Sequence, residues 1–196
     1  MTVVNRPQLI QAMSDITDHS EAAALADLCI GMAEDSMWRD LTLSTMLTSK
    51  SDVTDGTNII PYPIRFIEPV ALVFDDCNWV DFRNPTDALT RFATNSDYIG
   101  FLRDSGVYVN PTPASGTPYV FSHYAAPLGL STTVADNPIL LNYPNLYIFA
   151  CCWKLELIAR DVEATAYFEG LYKDELKKVK ASDRGIRASG SPQFQR

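Results

Sequence analysis

Cysteine and histidine are the side chains of this chain best suited to metal binding or redox chemistry, and both are scarce. The 196 residues include four cysteines and two histidines, which are Cys29, Cys77, Cys151, Cys152, His19 and His123. No two cysteines have the C-x-x-C spacing of a zinc or redox motif, and adjacent cysteines do not readily pair with each other. We therefore expect the cysteines to be buried, reduced core residues, and we predict no metal site.

Catalytic motifs are also missing from the sequence. It contains no glycine-rich phosphate loop, no nucleophile elbow of the form G-x-S-x-G and no H-E-x-x-H zinc motif. Asp75 and Asp76 form a local carboxylate pair, but adjacent side chains on a strand point to opposite faces and would not converge on one substrate. The sequence therefore predicts no catalytic residue, no cofactor and a protein that is not an enzyme.

The charged side chains are unevenly distributed along the chain. Residues 173–196 carry seven basic and three acidic side chains, a net charge of +4, while residues 1–172 carry nine basic and 21 acidic side chains, a net charge of −12. An acidic body disfavours binding to the phosphate backbone of nucleic acid, and a basic terminus favours an acidic partner. A solvated helix end, where cations complement the helix dipole, accounts well for Lys177, Lys178 and Lys180 and less well for Arg187 and Arg196. Because like-charged bodies repel each other, we expect the isolated chain to be mainly monomeric.

Targeting and membrane segments are not apparent in the sequence. The longest apolar run, residues 146–153, is followed by Lys154 and Glu156 and falls short of the roughly 20 residues that cross a bilayer. The N-terminus is polar and lacks the apolar stretch of a signal peptide. We therefore expect a protein that is made and used in a cytoplasm, without a membrane partner.

Apolar spacing predicts helices at both ends of the chain. The first begins at a proline, and the second follows an Asp18–Glu21 segment that has the pattern of a capping box, so the two predict a helical hairpin. Of the two C-terminal helices, the first is apolar on most sides and the second is capped by Asp161. The predicted helices span residues 7–16, 20–43, 144–159 and 161–180.

The middle of the chain, residues 50–125, predicts a β-rich insert. Residues 49–58 are rich in Ser, Thr, Asp and Gly and predict a loop, and two prolines keep residues 58–68 from being a central strand. A short helix is predicted over residues 85–92. The predicted strands are 70–74, 79–82, 98–103, 107–109 and 119–125. The predicted fold class is therefore α+β, a helical bundle with an inserted small antiparallel β-sheet region.

The composition changes again at the C-terminus. Residues 181–196 include two Gly, three Ser and one Pro, which predicts an extended tail on a single domain of residues 1–180. A tail that combines basic residues with one phenylalanine suits a segment that becomes ordered on a partner, and its deletion should leave the fold intact. The predicted partner-binding residues are Arg184, Arg187, Ser189, Gly190, Ser191, Pro192, Phe194 and Arg196.

Two stretches near the C-terminus carry a family resemblance. One is Tyr-Pro-Asn-Leu-Tyr-Ile-Phe-Ala at 143–150, which opens a helix after a strand that ends in His-Tyr-Ala-Ala-Pro at 123–127. The other is Ala-Ser-Asp-Arg-Gly-Ile-Arg-Ala-Ser-Gly-Ser-Pro at 181–192. Together with the order of elements, they resemble the head-to-tail adaptor proteins of bacteriophages, above all of short-tailed phages. The chain has Asn145 where the family pattern has Asp, and Phe149 and His123 where it has Tyr.

The resemblance implies a structural virion protein of the neck, assembled in the cytoplasm of the host bacterium. It implies a ring of twelve copies beneath the portal of a filled capsid, which extends the DNA channel and attaches the tail nozzle or tail fibres. The implied partners are the portal protein, these tail proteins and further copies of the chain. Viral DNA would pass through the channel without sequence-specific binding.

Two alternatives are left open by the sequence. A neck or head-completion protein of a long-tailed phage shares the plan of a helical hairpin. A cytoplasmic α+β binding module with a peptide tail also accounts for an acidic body with a basic terminus.

Overall fold

The structure is a computed structural model, and it describes residues 3–75, 77–83 and 98–189, with the backbone alone for residues 186–189. The chain divides into two units. Met1–Thr45 and Pro127–Arg196 belong to a helical unit, and Met46–Ala126 belong to a β unit. The mixed α+β class predicted from the sequence is confirmed.

The described residues of the helical unit form five α-helices. These are α1 (Arg6–Thr17), α2 (Ala22–Asp40), α3 (Pro138–Asn142), α4 (Pro144–Ala159) and α5 (Val162–Ser189). Helix α4 contacts each of the other four. Nine of its sixteen residues are buried, as expected for a helix that is apolar around most of its circumference. The core of the helical unit is therefore built around α4. None of the described helices combines the length and the apolar character needed to span a membrane.

Side-chain caps set several of the helix ends. Asn5 and Asn137 accept hydrogen bonds from backbone N–H groups in the first turns of α1 and α3. Asp161 does the same for α5, where its Oδ1 accepts from the N–H of Ala164 at 2.9 Å, and this predicted cap is confirmed. The predicted capping box over Asp18–Glu21 is wrong. Asp18 adopts a left-handed backbone (φ 55°) that ends α1, and α2 begins without a side-chain cap.

The described residues of the β unit form one seven-stranded sheet. Its strands are β1 (Leu47–Val53), β2 (Ile59–Pro61), β3 (Phe66–Phe74), β4 (Asn78–Phe82), β5 (Tyr98–Arg103), β6 (Gly106–Asn110) and β7 (Pro118–Ala125). Their order across the sheet is β1-β7-β3-β4-β5-β6-β2. Neighbouring strands are antiparallel except β4 and β5, which run parallel, so the antiparallel sheet predicted from the sequence is wrong at this one pair of the described strands. The five predicted strands are confirmed as β3 to β7, with bounds shifted by a few residues.

The sheet curls around a buried cluster. Its members come from β2 at one end of the sheet, from β7 near the other end and from β3, β4 and β6 between them. They are Ile60, Leu72, Phe74, Val80, Val107, Val109, Tyr119 and Phe121. A flat sheet would keep β2 and β7 far apart, so their shared core requires the curvature that sheet twist provides.

Strand β1 was not predicted. Its sequence, Leu-Thr-Ser-Lys-Ser-Asp-Val, is rich in residues of low strand propensity, and the sequence predicted a loop from residue 49. The strand forms because all seven of its residues pair with β7. Strand propensity depends on such pairing more than on the isolated residue. The expectation that residues 58–68 form no central strand is confirmed for β2, which lies at the sheet edge, but it is wrong for residues 66–68, which begin the interior strand β3.

The C-terminal helix is longer than predicted. The extended tail predicted from residue 181 is wrong over residues 181–189, because α5 continues to Ser189. A glycine such as Gly185 makes a helix interior about 1 kcal/mol less stable than alanine would. One glycine does not end the helix when a nearby residue is held in place by a tertiary contact. Asp183 supplies that anchor, as described below. The predicted helix over 85–92 lies outside the described residues, as does the tail beyond Ser189.

Candidate partner-binding site

One face of α5 is buried against the helical unit. Tyr172 on this face stacks on Trp153 of α4, with ring centroids 5.6 Å apart, and its hydroxyl donates to Asp40 Oδ2 at 3.2 Å. Burial and the charge of Asp40 raise the pKa of Tyr172, so this hydroxyl stays a donor. The buried residues of this face are Phe168, Tyr172, Val179 and Asp183. Their separations of four, seven and four residues keep them on one side of the helix.

Asp183 anchors the C-terminal part of α5. Its Oδ1 accepts hydrogen bonds from the backbone N–H of Ser44 at 2.8 Å and from the Ser44 hydroxyl at 2.6 Å. Only 3% of Asp183 is exposed. A buried carboxylate with such partners is costly to leave unpaired, so the contact holds α5 to the segment that follows α2.

The lysines in the middle of α5 are paired along the helix. Each lies three or four residues after a carboxylate, at the spacing that suits intrahelical ion pairs. The Nζ–oxygen distances are 2.5 Å for Lys173–Glu169, 2.9 Å for Lys177–Asp174 and 2.9 Å for Lys178–Glu175. The hydrogen bond from Lys177 lowers the pKa of Asp174. Such exposed pairs contribute little to stability, but they leave these lysines with less free charge for a partner.

Lys180 and Arg184 form what we term the basic ridge of α5. Both are exposed, and neither forms an ion pair with another residue in the described part of the chain. A separation of four residues places them on the same face of the helix, and position 187 follows three residues later. The ridge therefore presents positive charge that the protein itself does not neutralise there.

The structure locates three of the eight predicted partner-binding residues. Arg184 is exposed on α5, and Arg187 and Ser189 lie in the last turns of the same helix. The backbone of α5 places positions 184 and 187 within one helical turn. The others lie outside the described residues, and they are Gly190, Ser191, Pro192, Phe194 and Arg196.

A buried polar network in the helical unit was not predicted. Glu34 Oε1 accepts from the backbone N–H of Leu130 at 2.7 Å and from the hydroxyl of Tyr147 at 2.9 Å. Asn137 Nδ2 donates to the same hydroxyl at 2.6 Å. A Cβ on Gly129 would lie 2.5 Å from Glu34 Oε2, so a larger residue there would displace the carboxylate. Desolvation raises the pKa of Glu34.

This network explains part of the family motif at 143–150 in physical terms. Tyr147 belongs to that motif, and its hydroxyl joins α4 to Glu34 of α2 and to Asn137 at the start of α3. The feature of the sequence that could have indicated this network is Glu34, the one glutamate among the buried residues of α2. A lone acidic residue in an otherwise apolar stripe indicates a buried hydrogen-bonded group.

Each histidine lies within hydrogen-bond distance of another residue of the protein. His19 Nε2 lies 3.0 Å from Oε2 of the buried Glu156. His123 is buried in the β unit, where its Nδ1 lies 3.1 Å from the carbonyl oxygen of Phe121. Within the described ranges, no three His, Cys, Asp or Glu residues are grouped as a metal site would need.

Three of the four cysteines are buried, as predicted. Cys29, Cys151 and Cys152 lie in the helical unit, and all four thiols are free. Burial raises the pKa of Cys29 to about 11 and that of Cys152 to about 12, which keeps these thiols protonated and unreactive. The expectation of burial is wrong for Cys77, which is exposed at the turn before β4.

Comparison with known proteins gives one family. The sequence model of a family described as SU10 adaptor protein matches residues 5–195. The matched region includes both units and continues past the end of α5. No curated protein matches the chain.

Proposed function

The chain belongs to the SU10 adaptor protein family, and from this premise we propose that it joins the portal of a phage capsid to tail components. The resemblance to phage head-to-tail adaptors drawn from the two C-terminal motifs is thereby confirmed. A phage adaptor is a structural component of the virion. The family match over residues 5–195 is the observation that carries the proposal.

The basic ridge of α5 is the surface we assign to the portal. Lys180 and Arg184 present charge that is free of ion pairs in the described part of the chain, and charge-assisted hydrogen bonds to carboxylates or carbonyls are strong and directional. Position 187 follows on the same helix, three residues after Arg184. The buried face of α5 fixes the helix on the helical unit, whose helices act as one supporting bundle in this proposal.

Residues 190–196 extend the same contact beyond the helix. Phe194 is the apolar anchor, because a large aromatic side chain in a Gly-Ser-Pro context gains most by inserting into a pocket of a partner. Gly190 and Pro192 disfavour further helix and direct the chain along an extended path. Ser189, Ser191 and Arg196 supply polar contacts at the rim.

Further copies and viral DNA complete the proposed assembly. A ring of twelve copies beneath the portal would extend its channel and present a platform for the tail nozzle or tail fibres. The net charge of −8 per chain favours passage of DNA, because an acidic wall does not bind phosphates and lets the genome slide during ejection.

Co-sedimentation with portal assemblies tests the assigned surface. Arg184→Glu reverses a charge that has no ion-pair partner in the described residues, so portal binding should weaken at least about tenfold, the size expected for one strong charge-assisted contact. Lys178→Glu is the matched control, since it reverses an exposed charge that already pairs with Glu175. Equal binding by both variants would remove the ridge from the interface.

A further inference from the structure

A short turn of the β unit presents an exposed isoleucine. Residues 62–66 lead from β2 into β3, and we term them the Ile64 turn. Ile64 is 86% exposed, more than any other large apolar side chain in the described part of the chain, and Arg65 beside it is exposed as well. A large apolar side chain that is this open to solvent gains free energy by inserting into a partner.

Ring stacking and a backbone hydrogen bond stabilise the Ile64 turn. The rings of Tyr62 and Phe66 stack with their centroids 4.2 Å apart, and both residues pack against the buried cluster of the sheet. The N–H of Phe66 donates to the carbonyl of Pro63 at 3.3 Å, which closes the turn. A turn that is ordered before binding loses little conformational entropy when a partner covers Ile64.

The helical unit carries an apolar groove where the end of α4 meets the start of α5. The groove has a volume of about 440 Å³. Val162 in this groove is 82% exposed, and Leu157 is exposed as well, so both are available to a partner. We term it the elbow groove, and its lining residues are Leu157, Arg160, Val162, Thr165, Ala166 and Glu169.

The charges beside the two surfaces are opposite. Arg65 in the turn is exposed and forms no ion pair with another described residue. Glu163 follows the first residue of α5, is exposed too, and lacks an ion pair within the described ranges. Arg160 lines the groove, but Asp161 and Glu163 outnumber it, which leaves this segment with a net charge of −1. A basic turn and an acidic groove edge attract each other and favour one orientation.

We propose that Ile64 of one copy inserts into the elbow groove of the next copy, with Arg65 beside the Glu163 of that copy. This inference rests on the proposed ring and supplies a contact between its neighbouring subunits. The two surfaces differ, so every copy uses its turn towards one neighbour and its groove towards the other. Such heterologous contacts repeat head to tail and can close into a ring, whereas a twofold contact stops at a pair.

The small size of this contact is compatible with a free chain that is mainly monomeric. One five-residue turn against one groove buries much less surface than the roughly 1,000 Å² of a stable interface. Portal subunits hold neighbouring copies side by side in the proposed assembly, which raises the effective concentration of each surface for the other. The contact therefore forms on portal at chain concentrations that leave the free chain monomeric.

Chemical cross-linking between two differently tagged chains tests the contact without portal. In a Cys77→Ser background, an Ile64→Cys chain is mixed at high concentration with a Val162→Cys chain and treated with a short bismaleimide. The mixed dimer should exceed each homodimer beyond the ratio that random collision gives, because position 64 meets position 162 of the other copy. Val53→Cys replaces Ile64→Cys in the matched control. Val53 is also exposed, but it pairs with the first residue of β7, whereas the turn lies where β7 ends. A mixed dimer no more abundant than in the control would overturn the proposal.

A charge swap in the same assay tests the orientation. Arg65→Glu on the Ile64→Cys chain should lower the yield of mixed dimer about threefold, because it sets like charges together. Glu163→Arg on the Val162→Cys chain should then restore the yield. Lys50→Glu is the matched control for net charge, since it reverses an exposed lysine on β1 and should have no effect. Equal loss with Lys50→Glu, or no recovery in the swapped pair, would contradict the orientation.

Assembly on portal separates this contact from the proposed function. Ile64→Asp should leave the binding of single copies to portal intact and should make the loading of further copies less cooperative. Thermal melts of this variant check that it is folded. A wild-type chain that gives the expected cross-link but does not bind portal would contradict the proposed function alone. A chain that binds portal but gives no preferred cross-link would overturn the contact alone.

Discussion

Asp183 is a buried carboxylate whose Oδ1 accepts from both the backbone N–H and the hydroxyl of Ser44. Asp183→Ala leaves the N–H without its partner, so the free energy of unfolding should fall by about 2 kcal/mol. Ser44→Ala keeps the N–H contact and should cost about 1 kcal/mol. Urea denaturation measures both, with the exposed Ser182→Ala as control. An Asp183→Ala protein as stable as the wild type would show that this contact does not hold α5.

Glu34 gives the helical unit a pH dependence with a defined sign. Its pKa is raised in the folded state, mainly by desolvation. The folded chain therefore binds the Glu34 proton more tightly than the unfolded chain does. The contribution of this proton binding to the free energy of unfolding is complete below the unfolded pKa of about 4.3. It is lost as the pH rises through the raised pKa of the folded chain.

Glu34→Gln removes this titration and keeps an oxygen acceptor for Leu130 and Tyr147. The stability difference between variant and wild type should shift in favour of the variant as the pH rises from about 4 to about 8. Chemical denaturation at several pH values measures the difference. Glu68→Gln, the same substitution at an exposed position of β3, is the matched control. A difference that is constant with pH would contradict the assignment.

The last turns of α5 and the residues after it have separate roles. Deletion of residues 190–196 leaves every described contact of α5 in place, so the melting temperature should stay within about 1 °C of the wild type. Deletion of residues 182–196 also removes Asp183 and should lower it by roughly 4–8 °C, the shift that about 2 kcal/mol causes in a chain of this size. This replaces the sequence-based expectation that the longer deletion is harmless. Calorimetry that finds both deletions equivalent would contradict it.

The elements that could be predicted from sequence are those with a strong local signal. Helix α4 has an apolar periodicity that specifies both its extent, Pro144–Ala159, and its burial. Strand β1 has no such signal, because it exists through pairing with β7, more than sixty residues away in the chain. The continuation of α5 past residue 180 depends likewise on a distant contact, between Asp183 and Ser44.

The basic composition of the candidate site could be predicted from the sequence, but its helical conformation could not. The excess of basic residues after position 172 is visible in the sequence and indicates a partner. Which of these charges are free is a property of the helix, since Lys173, Lys177 and Lys178 pair with carboxylates three or four residues before them. The sequence predicted an extended backbone at positions 184 and 187, whereas both positions lie on the helix α5.

The charge of the whole molecule determines how it should respond to DNA. A net charge of −8 opposes binding to phosphates, and the basic residues after position 172 are partly neutralised along α5. We expect no binding of a labelled duplex at micromolar protein and physiological salt, measured by fluorescence anisotropy. Lys180→Glu/Arg184→Glu should leave this result unchanged. Salt-dependent binding that the double variant abolishes would instead assign the ridge to DNA.

Assembly of the full-length chain on isolated portal particles tests the central claim most directly. Analytical ultracentrifugation should show that the chain alone forms no ring and that adding portal yields one complex of fixed stoichiometry, with equal numbers of adaptor and portal subunits. A chain that ends at Ser189 should remain unbound under the same conditions, because it lacks Phe194 and the rest of the proposed anchor. Full-length chain that stays free beside intact portal, or that builds rings without it, would contradict the account.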